Sequence, residues 1–136
     1  MISGSTVVAR KKSLAAIVAA HLNAIGETAK VVEARPNSEG HLDVVVVESS
    51  IGLVHLTASV SKDPNASMPV ANFKDGRQAF LADKAYIAFG WNAKDDRTLV
   101  FFVQSERVRG KDSLTKAEIR SIAEQHLNAV LTNSPR

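Results

Sequence analysis

The chain of 136 residues contains no cysteine, which removes disulfides, thiolate metal sites, zinc ribbons and redox motifs from consideration and fits a cytoplasmic location. It also lacks a long apolar run. The longest, Leu14 to Ala20 (LAAIVAA), is far below the roughly 18 residues of a membrane helix. That run follows Arg10, Lys11 and Lys12 in the manner of a secretion signal, but its alanine content, the interrupting His21 and its helical spacing favour a folded amphipathic helix. No G-x-S-x-G elbow and no glycine-rich phosphate loop occur, so neither a hydrolase triad nor a nucleotide-binding loop is indicated. No acidic residue precedes Glu27.

What the sequence does contain suits one domain over residues 1–136, with 1–9 and 132–136 expected as loose ends. The net charge of +3 and a pI near 9.4 permit polyanion binding without requiring it. Leu14, Ile17, Val18, Leu22 and Ile25 share one helical face, and Gly26 supplies a stop. Three strands are then expected at KVVEAR, LDVVVVES and LVHLTASV, with the turn PNSEG between the first two. The third strand alternates strictly. Val54, Leu56, Ala58 and Val60 fall on one side, and His55, Thr57 and Ser59 on the other.

Residues 61–73 read as a loop, Asp75 caps a short helix at about 76–83, and a second hairpin joins AYIAFGW to TLVFFVQ. Thr115 and Glu118 form a capping box for a last helix whose stripe is Ile119, Ile122, Leu127, Val130 and Leu131. The fold class expected is α/β (α+β): a central mixed five-stranded sheet flanked by helices, in the order α-β-β-β-α-β-β-α.

From about Ser13 to Val108 this pattern resembles the PD-(D/E)XK nuclease-like superfamily of restriction endonuclease-like and Holliday-junction resolvase-like proteins. The resemblance rests on the leading helix ending in L-x-x-x-G (Leu22 to Gly26), the acid-bearing HLDVVVVE, the adjacent LVHLTAS, and the later pair AYIAFGW and LVFFVQSERV. It implies a restriction-endonuclease-like fold in which an Asp on one strand and a Glu or Asp on the next hold a divalent metal, with a Lys two residues later acting on water. Oxygen ligands suit magnesium, and the metal neutralises charge developing on the phosphate. Asp43 matches the first position, but His55 and Thr57 occupy the second and third. Lys62 stands at an odd separation from both and does not replace the missing lysine.

The leading expectation is therefore a catalytically impaired nuclease-fold protein that binds nucleic acid, DNA or RNA, or a protein that processes it, with no cofactor. Phosphate contacts would come from Arg10, Lys11, Lys12, Lys62, Arg107, Arg109 and Lys111. Their clusters precede the expected helices, where cations oppose the helix dipole, so helix stability does not explain them. One alternative is a divergent Mg- or Mn-dependent endonuclease using Asp43 with His55, Glu39 or Asp63. Another set, His41, Asp43 and His55, offers two imidazoles and an acid to a transition metal. A third reading is a homodimeric interaction or inhibitor protein of a mobile element, with no nucleic-acid role and no membrane partner.

Overall fold

A computed structural model describes residues 3–36, 42–59, 61, 63–70, 84–93 and 97–132. Helix α1 (Ser3–Ala24) lies on a six-stranded mixed sheet built from β1 (Ala29–Pro36), β2 (Leu42–Ser49), β3 (Gly52–Ser59), β5 (Tyr86–Asn92), β6 (Arg97–Gln104) and β8 (Ala129–Thr132), in the spatial order β1-β2-β3-β5-β6-β8. Only β3 and β5 run parallel; every other neighbouring pair is antiparallel. A separate ribbon pairs β4 (Ser67–Pro69) with β7 (Ser113–Thr115), and helix α2 (Lys116–Ile122) follows it.

The sheet carries a core on each face. Leu14, Ala15, Val18, Ala19 and Leu22 press α1 onto Val45, Val47, Val54, Leu56, Ala88, Val100 and Phe102. Alanines at Ala15 and Ala19 let the helix sit close. Gly90 marks the tightest approach, since a Cβ there would lie 2.5 Å from Leu14 Cδ1. The helix ends where Gly26 takes φ +100° and the Glu27 amide reaches back to Leu22 O at 2.9 Å. On the other face Met68, Val70, Leu114 and Ile119 cover Ile87, Phe89, Trp91, Leu99 and Val103.

Several expectations are corrected. The sheet has six strands and a two-stranded companion, not five strands in the order α-β-β-β-α-β-β-α. The stretch 61–73, read as loop, contains β4. α1 begins at Ser3, well before the expected stripe that opens at Leu14, and so takes in Arg10, Lys11 and Lys12, which were expected to precede it. The last helix stops at Ile122, and the rest of its expected stripe is divided between a 3-10 turn holding Leu127 and strand β8 holding Val130 and Leu131. Long-range bonds outcompete the helical spacing there. The Glu124 amide donates to Phe102 O at 2.7 Å, Asn128 Oδ1 accepts from Phe102 N at 3.2 Å, and Val130 pairs with Leu99. The helix expected near 76–83 lies outside the described residues.

Candidate functional site

The polar side of β3 is closed. His55 is 3% exposed and Thr57 is 5% exposed. Their register neighbours are Val46, Ile87 and Phe89, so imidazole and hydroxyl stand among buried apolar side chains on the face away from α1. Asp43 pairs in register with Arg35 and belongs to the alternation set of Val45 and Val47, whereas His55 pairs with Val46. His41, Glu39 and Lys62 lie outside the described residues. Among the described residues no three His, Asp or Glu side chains are grouped so as to hold a metal ion.

The two basic clusters also separate. Arg10, Lys11 and Lys12 fall in the middle of α1, not before it, so the dipole argument lapses for them. Lys12 pairs with Glu33 on β1 at 3.7 Å. Arg107, Arg109 and Lys111 lie on the turn after β6, anchored by buried Val108 and reversed at Gly110, where φ is +86°. Arg109 is bound to Glu106 at 2.9 Å, while Arg107 and Lys111 are exposed.

Sequence reasoning passed over Lys116, the first residue of α2. It is 1% exposed. Its Nζ donates to Ser61 O at 2.7 Å and Asp63 O at 2.9 Å, and lies 5.0 Å from the centre of the Trp91 ring. Its backbone N–H donates to Ala66 O at 3.0 Å. Burial pushes the ammonium pKa down from its ordinary value, Asp63 pulls it up, and Arg120 pushes it down further. The carbonyls and the ring occupy this ammonium, which fastens 61–66 against the sheet. The capping box at Thr115 and Glu118 located its helix but not its depth.

One open cleft of about 530 Å³ lies where β1, β2 and β3 turn, lined by Thr28, Lys30, Glu48, Ser49, Ser50 and Leu53. Its polar groups bond to one another: Ser50 Oγ donates to Glu27 Oε1 at 2.6 Å, Ser49 Oγ donates to Gly52 O at 2.9 Å, and Lys30 pairs with Glu48 at 3.8 Å. None of the described helices is long and apolar enough to cross a membrane. No protein-family model matches the chain, and no curated protein matches it significantly.

Proposed function

We propose that this protein is a cytoplasmic binding domain related to the PD-(D/E)XK nucleases that does not cleave, and that its partner is nucleic acid or a protein acting on nucleic acid. The observation that carries this reading is the burial of His55 and Thr57, the residues that the resemblance aligns with the second metal ligand and the lysine, which leaves both closed to a phosphodiester. The leading α1, the meander β1-β2-β3 and the parallel return of β5 support the resemblance. The exposed Arg107 and Lys111 are the phosphate-facing groups of this proposal.

The test incubates single- and double-stranded DNA and RNA with the protein in magnesium and in manganese, and measures binding by fluorescence anisotropy over a salt series. Intact substrate together with salt-sensitive binding, weakened by Arg107→Ala with Lys111→Ala, is the expected result. Metal-dependent cleavage that disappears in Asp43→Ala would overturn it in favour of an enzyme.

A further inference from the structure

Strand β1 ends the sheet, and no strand among the described residues pairs with its outer side. The alternation of its hydrogen bonds shows which groups that side presents. The Ala29 amide donates to Asn23 Oδ1 at 3.0 Å, and Asn23 Nδ2 donates to Ala29 O at 3.0 Å. Thr28 O, one residue earlier, instead accepts from Ser50 N, on the β2 side. Odd-numbered residues of β1 therefore turn their N–H and C=O outward, and even-numbered residues bond to β2. The Asn23 carboxamide makes the pair of bonds that a neighbouring strand would make at Ala29. The next outward rungs, Val31 and Glu33, are exposed.

The side chains define what would fit there. Val31 is 38% exposed, and Ile25, at the end of α1, is 43% exposed; these are two of the three exposed large hydrophobic residues among the described residues. Val31 pairs in register with Val47 and so lies on the α1 side of the sheet. Lys30 lies on the other side, with its side chain 75% exposed. A strand added here would set residues of one alternation beside Val31 and residues of the other beside Lys30.

We propose that the β1 edge receives an extended segment of a partner protein in which apolar residues alternate with acidic ones, an apolar residue resting beside Val31 and a carboxylate exchanging with Glu48 at the solvent-exposed Lys30. A second copy of this chain fits less well. The two open rungs at Val31 and Glu33, about four backbone bonds, fall far below the roughly 800 Å² per partner of a stable interface. The surface is separate from the turn at Arg107 and Lys111, so it stands independently of the proposed nucleic-acid role.

The experiment titrates the full isotope-labelled chain with a short, end-blocked peptide of alternating valine and glutamate, reaching about 5 mM because edge additions of this length bind weakly. Amide shifts and slowed hydrogen exchange at Val31 and Glu33 are expected. Val31→Pro removes an outward N–H, which an edge strand tolerates, together with the half-exposed Val31 side chain, and should abolish the shifts while the fold persists. Lys30→Glu, which keeps every backbone bond, should weaken binding of the glutamate peptide and favour one with lysine in its place. Shifts that Val31→Pro leaves intact, or no shift at Val31 and Glu33, would overturn the proposal. So would a chain dimer that Val31→Pro dissociates, because a second copy would then own the edge.

Discussion

Lys116 carries a charge into a place where charge is costly, and two kinds of partner hold it there: the carbonyls of Ser61 and Asp63, and the face of the Trp91 ring. The same helix turn sets Arg120 over the Phe101 ring at 5.9 Å, and Phe101 lies 5.2 Å from Trp91. Two cations spaced four apart thus cover two neighbouring aromatics. Lys116→Met keeps the stem but strands Ser61 O and Asp63 O, and is expected to cost about 2 kcal/mol of stability by urea unfolding. Its pH signature has a definite sign. With the folded pKa below the unfolded one, the unfolded chain holds more protons between the two values, so this residue's contribution rises with pH across that window. Tyr86 acts oppositely above its ordinary value, because burial, Glu124 and Glu27 raise its pKa. The difference between wild type and Lys116→Met, which cancels Tyr86, should therefore grow with pH as it approaches 10.5; a flat difference would disconnect Lys116 from the pH profile.

At the scale of elements, α1 and β3 were legible from their periods, the 3.6-residue stripe through Leu14, Val18 and Leu22 and the alternation through β3, while β1, β2, β5 and β6 were legible as short β-prone runs bounded by turn residues. The last segment was not. Ile119 and Ile122 share a helical spacing with Leu127 and Leu131, and only bonds to β6, distant in sequence, show that the chain leaves the helix after Ile122. His21 Nε2, donating to Leu127 O at 2.8 Å, ties this segment to α1 across the chain. The burial of His55 and Thr57 was equally hidden, since alternation separates two faces without saying which is wet. The two readings of the C-terminal segment differ measurably. A helical stripe would bury both Leu127 and Val130, whereas here Leu127 is 2% exposed and Val130 is 55% exposed. Leu127→Ala should cost about 2–4 kcal/mol and Val130→Ala well under 1 kcal/mol. Equal losses in thermal or urea unfolding would restore the helix.

For the whole molecule, the placement of charge limits how much nucleic acid one binding event can neutralise. Lys12 joins the first basic cluster to Glu33 on β1, two residues from Val31, while the second cluster follows Gln104 of β6, whose register row runs through Tyr86, Val54 and Val47 to Val31. From β1 to β6 the sheet crosses β2, β3 and β5, four spacings or about 19 Å. The clusters are therefore roughly 20 Å apart, a separation that lies mostly across the strands. The second turn carries three cations, of which Arg109 is tied to Glu106. Each neutralised phosphate of duplex DNA contributes about −0.9 to the slope of log K against log salt, so the turn alone should give a slope of about −2 to −3. Six cations acting together would give about −5. Anisotropy titrations of a short duplex over a potassium chloride series should find the shallower slope, reduced further by Arg107→Ala with Lys111→Ala and unchanged by Lys12→Ala. A slope near −5 that Lys12→Ala also reduces would mean that one ligand reaches from β6 to β1, and would move the binding surface from the Arg107–Lys111 turn to a path across the sheet.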